Sequence, residues 1–297
     1  MMFRGSFTVM VTPFTAAGAV DEPALRRFVD WQIERGTHGL IPLGSTGEFL
    51  SLTHAERNRV ASIVVEQAAG RVPVLVGSAA EWTDEAVTLS RAAQDAGADG
   101  LMIIPPYYSS PSEDEIFAHY ARIAAAVSIP IMVYNNPFTS NVDLSPALLA
   151  RLNTIDAVRY VKESSGDVGR VARIIDLTDG RMTVFAGYKP WESFRAGAEG
   201  YVSVFANIAP DLSARLFEVT ASDPAIGPGR ELNRQITPLL DALAGDLYVS
   251  ATKAALEMIG RPVGVPRPPR LPLPDSRRRG LAEVLAALGR MPGQAAA

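Results

Sequence analysis

Only three of the 28 lysine and arginine residues in this chain are lysine: Lys162, Lys189 and Lys253. Lys162 closes an apolar run, "AVRYVK", in a sequence that otherwise places its positive charge on arginine. A guanidinium stays protonated in proteins, whereas a desolvated ammonium loses its proton near neutral pH. A neutral amine attacks carbonyl carbon and forms a Schiff base. Tyr134 ends another apolar run, "IPIMVYN", 28 residues earlier. One strand-helix unit separates the two, so they belong at neighbouring strand ends, where a phenol could carry protons for imine chemistry. Taken singly, each has a plainer role. The lysine stem packs while its head reaches water, and the tyrosine is an amphipathic residue at a rim.

Two loops add polar groups. Gly44-Ser45-Thr46-Gly47 offers successive backbone N–H groups and two hydroxyls, which suits an anion such as a carboxylate. It is equally a tight strand-to-helix turn. No Gly-Lys-Ser/Thr follows, so it is not a P-loop. "IIPPYYSSPSEDE" (103–115) carries Tyr107 and Tyr108, which line a pocket or reach a neighbouring subunit. Other chemistries find no support. The chain has no cysteine, and His38, His54 and His119 do not pair at metal-ligand spacing. There is no G-x-G-x-x-G after a strand and no G-x-S-x-G elbow. No metal site is expected.

The elements that must position these residues alternate regularly. Eight β-rich runs occupy 5–11, 38–44, 72–77, 99–105, 129–135, 158–164, 182–187 and 200–206. Most are continuously apolar, as parallel strands covered on both faces are. Helical patterns lie between them, at 21–36, 52–70, 83–100 and 112–127 among others. Thr53 and Glu56 have the spacing of a capping box. Glycines in "AGADG" (96–100) and "AGAEG" (196–200) end a helix before the next strand. Eight such units predict a (β/α)8 TIM barrel over residues 1–220, with a doubly wound open sheet as the alternative. Residues 221–297 read as a C-terminal helical extension packed on the barrel, with the proline-rich crossing "RPVGVPRPPRLPLP" (261–274) before a last helix. In such a barrel the site lies at the C-terminal ends of the strands.

Composition narrows the partners. Of 297 residues 47% are hydrophobic, net charge is −4, and no basic stripe is present, so neither nucleic acid nor an anionic membrane is expected as a partner. No stretch reaches the ~18 apolar residues of a membrane span. The N-terminal stretch does not have the pattern of a signal peptide. A cytoplasmic enzyme acting on a small molecule is the expectation.

"TPF" (12–14), "GSTGEFLSLTHAER" (44–57), "PPYYSSP" (105–111), "YNNP" (134–137) and "VKESSGD" (161–167) together resemble the dihydrodipicolinate synthase / N-acetylneuraminate lyase family, over nearly the whole chain. The resemblance implies a Schiff-base-forming, pyruvate-handling class I aldolase on a (β/α)8 barrel. It needs no cofactor and is commonly a homotetramer built as a dimer of dimers. By the resemblance, Lys162 is the imine-forming lysine and Tyr134 the proton-shuttling tyrosine. Ser45 and Thr46 hold the substrate carboxylate and join the relay, and Tyr108 is a relay tyrosine lent across a dimer interface. Gly187 and Val204 line the pyruvate pocket. Three departures stand out. Synthases of the family have an arginine where this chain has Thr139, and a hydroxyl makes no bidentate charged pair with a carboxylate. The loss costs on the order of a few kcal/mol of binding. Tyr160 stands two residues before the lysine, where many members have glycine, and is expected on the lysine's face of the strand. The family's lysine-inhibition site matches at His54 and Glu85 but not at Glu81 and Arg57. The resemblance therefore leaves open the synthase proper, another aldolase, and a dehydratase of 2-keto-3-deoxy sugar acids.

Overall fold

The computed structural model describes residues 2–222 and 227–293. Eight strands form one sheet: β1 (Gly5–Val9), β2 (Gly39–Ile41), β3 (Leu75–Gly77), β4 (Gly100–Ile103), β5 (Ile131–Asn135), β6 (Val158–Glu163), β7 (Thr183–Ala186) and β8 (Gly200–Ser203). Their order is β2-β1-β8-β7-β6-β5-β4-β3, all pairs parallel. A parallel bridge between Leu40 and Val74 joins the two ends, so the sheet curls into a barrel. This excludes the open doubly wound sheet. The strands are shorter than the apolar runs that predict them. The run at 38–44, for example, contributes only Gly39–Ile41. The rest of such a run turns out of the sheet at its C-terminal end, where the site loops begin.

Helices cover the outside in alternation: α1 (Glu22–Glu34), α2 (His54–Ala68), α3 (Thr83–Asp95), α4 (Glu113–Ala124), α5 (Pro137–Ser140), α6 (Pro146–Leu152), α7 (Gly169–Leu177) and α8 (Pro190–Arg195). The capping box at Thr53 and Glu56 forms as its spacing predicts, and Ser112 with Glu115 makes another at α4. The chain continues through α9 (Pro210–Ser222), α10 (Gly227–Ala242), α11 (Tyr248–Met258) and α12 (Asp275–Ala287). One buried cluster runs from the strands into Leu232, Ile236, Leu239, Leu256, Leu281 and Leu285 of these last helices. Residues 223–226, just past the end of α9, lie outside the described residues. Among the described residues no helix is long and apolar enough to cross a membrane.

Aromatic rings fill the barrel below its mouth. Phe3 and Tyr160 lie 4.9 Å apart, Phe7 and Phe185 5.3 Å, and Tyr160 and Phe185 6.2 Å between centroids. Gly200 makes room for Phe185, because a Cβ there would stand 2.2 Å from its ring. Tyr160 does point to the lysine's face, two residues below it, and its hydroxyl accepts a hydrogen bond from Phe3 N at 3.1 Å. It acts as filling of the barrel interior, with its one polar atom satisfied.

Candidate active site

The pairing of β5 with β6 sets Tyr134 opposite Lys162 and Asn135 opposite Glu163. Side chains alternate along a strand, so the two pairs face opposite sides of the sheet. On the outer side Asn135 donates to Glu163 Oε2 at 3.0 Å, and Ser165 N donates to Glu163 Oε1 at 2.7 Å. Leu144 N donates to Asn135 Oδ1 at 2.9 Å. This network holds the two strand ends in register. On the inner side the Lys162 amine sits 3.7 Å from the centre of the Tyr134 ring. Lys162 is 7% exposed and makes no ion pair or hydrogen bond among the described residues. Burial disfavours its charged form and pulls the amine down to about 7. The glutamate next in sequence gives no relief, since its carboxylate is turned away and already bonded.

Around Tyr134 the phenol is buried, which raises its pKa. Asn136 Nδ2 donates to its hydroxyl at 2.8 Å, and the Ser164 hydroxyl beside it acts in the same direction, favouring the phenolate. Ser164 in turn occupies the space of a side chain at position 187. A Cβ on Gly187 would stand 1.7 Å from Ser164 Oγ, and Gly187 N donates to the Glu163 carbonyl at 2.8 Å. Only glycine allows β7 to leave the sheet so close to Ser164.

The loop after β2 folds into a 3₁₀ turn, Ser45–Gly47, with Thr46 buried and Ser45 half-buried. Thr12 Oγ1 donates to the Gly47 carbonyl at 2.8 Å and ties the turn to the end of β1. The Thr46 hydroxyl lies beside the phenol of Tyr248, which also faces Tyr134 and Tyr188. Val204, half-buried, begins the 3₁₀ turn after β8 and accepts a hydrogen bond from Asn207 N at 3.1 Å. The barrel mouth therefore holds one uncharged-prone amine ringed by phenols and hydroxyls.

A family model for the dihydrodipicolinate synthetase family matches residues 2–288. The chain belongs to that family. It is 37% identical over 290 residues to the 4-hydroxy-tetrahydrodipicolinate synthase of Pelobacter propionicus, covering 97% of this chain and 99% of that one. Its fold matches the chloride-inhibited dihydrodipicolinate synthase from Acinetobacter baumannii, complexed with pyruvate, at a TM-score of 0.95 and 34% identity, covering 98% of this chain and 100% of that one. It also matches YagE of E. coli K12, a prophage protein of the family in complex with pyruvate, at a TM-score of 0.91 and 31% identity, covering 96% and 98%. Membership makes this chain a class I, pyruvate-dependent aldolase with a TIM-barrel fold, as the motifs imply.

Two positions that the family resemblance singles out are not drawn to the amine within one chain of this family member. Tyr108 is 87% exposed and turned outward. Its loop is held by Glu81, whose carboxylate accepts from the backbone N–H of Tyr107, Tyr108 and Ser109 at 2.8, 3.0 and 2.9 Å. Burial opposes the charge on Glu81, but the Ser109 side chain and these three bonds outweigh it and bring the carboxyl to about 2. Thr139 is exposed on the short helix α5, and its hydroxyl approaches the Asn136 carbonyl at 3.5 Å, a marginal contact. His54 and Glu85 meet at 2.6 Å. Arg57, by contrast, is buried against the Phe49 and Ala79 carbonyls, at 3.0 and 3.3 Å. Sequence reasoning missed Asn136, Ser164, Tyr188 and Tyr248 as neighbours of the site. Asn136 and Ser164 lie inside quoted motifs and were within reach. Tyr248 starts a helix 86 residues after Lys162, and nothing local marks it.

Proposed function

We propose that the Lys162 amine adds to the keto carbon of pyruvate or another 2-oxo acid. The resulting carbinolamine loses water, Tyr134 passing a proton to the leaving hydroxyl, and an iminium forms. Loss of a proton from the neighbouring carbon gives an enamine. The enamine adds to an aldehyde, and water releases the product and restores the amine. In the reverse direction a 4-hydroxy-2-oxo acid is cleaved. The iminium is the electron sink, so the scheme needs no metal or organic cofactor. Ser45 and Thr46 hold the carboxylate of the 2-oxo acid, with Gly187 and Val204 along the pocket. Tyr108 completes the relay of a neighbouring protomer in a homotetramer, and the enzyme is cytoplasmic. The helices from residue 221 onward serve as an extension that braces the site.

The observation that supports this reading is a buried amine with no counter-charge among the described residues, in contact with a buried phenol. Thr139 in place of a guanidinium favours an aldehyde other than aspartate semialdehyde. Two alternatives use the same imine: the synthase proper, and dehydration of a 2-keto-3-deoxy sugar acid. Borohydride reduction in the presence of pyruvate, followed by peptide mass spectrometry, is expected to find the reduced adduct on Lys162 alone. An unmodified Lys162 peptide refutes the reading.

A further inference from the structure

Tyr134 and Lys162 stand opposite one another near the ends of β5 and β6. Ser164 N donates to the Asn135 carbonyl at 2.9 Å, so the parallel pairing runs one step past Glu163. Asn136 follows at once and is clamped by its backbone. Its carbonyl accepts from Thr139 N and Ser140 N, each at 3.1 Å, and from the Ser140 hydroxyl at 2.9 Å. Pro137 opens helix α5 directly after it. The Asn136 side chain is buried. Its Nδ2 donates to the Tyr134 hydroxyl at 2.8 Å, while its Oδ1 has no hydrogen-bond partner among the described residues. An apolar side chain at 136 would leave no such buried acceptor unpaired, so packing gives no reason for an amide. The bond to the phenol does. The resemblance joins Thr46 to the proton relay. Here the Thr46 hydroxyl lies beside Tyr248, and the N–H on the Tyr134 hydroxyl comes from Asn136. A phenol that accepts an N–H keeps its own proton free to give, and that bond strengthens as negative charge grows on the oxygen. Burial raises the Tyr134 pKa, and the Asn136 amide opposes the rise. The titratable groups facing this phenol are Lys162 on β6, Tyr188 beyond β7 and Tyr248 on α11, with no carboxylate among the described residues.

We propose that Asn136 is a positioning residue for proton transfer: its amide N–H fixes the direction of the Tyr134 hydroxyl and stabilises the phenolate left when that hydroxyl gives up its proton. The inference rests on the reading of Lys162 as the imine-forming amine and Tyr134 as its proton donor. In the first step the phenol proton goes to the hydroxyl of the carbinolamine, the C–O bond breaks, and water leaves the iminium. In the second the phenolate takes a proton from the carbon next to the iminium, the enamine forms, and the phenol is restored. The Asn136 N–H acts in both, since each passes through charge on the same oxygen.

The test is exchange of the pyruvate methyl hydrogens in deuterium oxide, followed by proton NMR, which reads iminium and enamine formation without a second substrate. The wild type is expected to exchange. Asn136→Leu should lower kcat about ten- to a hundredfold and leave KM for pyruvate within about twofold of the wild type. Asn136→Asp has nearly the same shape but only accepts hydrogen bonds when ionised, and should lose at least as much. Tyr134→difluorotyrosine, introduced by codon suppression, makes the phenol more acidic and should restore most of the kcat lost in Asn136→Leu. A variant whose only fault is packing would gain nothing from it. Counting kcat per Lys162 trapped by pyruvate and borohydride removes unfolded protein from the comparison. Wild-type kcat in Asn136→Leu or Asn136→Asp, or no gain from the fluorinated phenol, overturns the inference while leaving the lysine reading intact. A wild type that neither exchanges nor is trapped at Lys162 removes the lysine reading and the inference with it.

Discussion

The reactivity proposed for Lys162 rests on what does not surround it. Among the described residues no carboxylate lies within ion-pair distance, and burial alone brings the amine to about 7. An arginine here would remain charged and inert as a nucleophile. Imine formation is therefore expected to rise about tenfold per pH unit below about 7 and to level off above it. Initial rates of borohydride trapping at low pyruvate, measured from about pH 5 to about pH 9, check this, and a flat profile would contradict it. Stability follows the same titration. The folded lysine has a lower pKa than the unfolded one, ordinarily about 10.4. Below about 7 both forms are charged, and the full penalty of burying the charge applies. As pH rises from there, the folded protein holds fewer protons than the unfolded chain, and stability increases until both are neutral.

At the scale of elements, the loop after β2 is fixed from two directions. Thr12 holds it from β1, and the Glu48–Lys253 pair holds it from α11. Glu48 adopts a left-handed conformation at φ 57°, which turns its carboxylate inward toward Lys253. Lys253 also sits 4.1 Å above the Phe14 ring, and burial, opposed in part by Glu48, lowers its pKa to about 8. Removing one member leaves a charge buried without its partner. Lys253→Met is expected to cost about 3–5 kcal/mol in denaturant unfolding, and Glu48→Gln combined with Lys253→Met should cost less than Lys253→Met alone. A neutral outcome for the single variant would show that the pair is not a brace. The Tyr107–Tyr108 loop is held in a different way, by one carboxylate collecting three backbone N–H groups, which presents Tyr108 to the outside.

For the whole molecule, the outward Tyr108 is the feature that one chain leaves unused. If a neighbouring protomer takes it up, two defective chains should repair each other. Lys162→Ala supplies an intact Tyr108, and Tyr108→Phe supplies an intact Lys162. Co-expressed, they should form mixed assemblies with some complete sites and activity well above the sum of the two variants expressed apart. Activity no greater than that sum would place the function of Tyr108 elsewhere.

The sequence by itself determined the architecture and the central pair. Eight apolar runs at regular spacing specify eight parallel strands, because strands buried on both faces must be apolar throughout. Lys162 and Tyr134 were legible because each ends such a run and is chemically out of place there. The motifs carried the family. Tertiary structure decided the rest. Where each strand stops is set by its neighbours, so the runs overestimated strand length. Gly187 reads as an ordinary turn glycine until Ser164 is seen to fill the space its side chain would need. Tyr248 and the Lys253–Glu48 pair meet the loop after β2 across some 200 residues of chain. Local pattern cannot reveal such contacts, because they arise only when the C-terminal helices close over the mouth of the barrel.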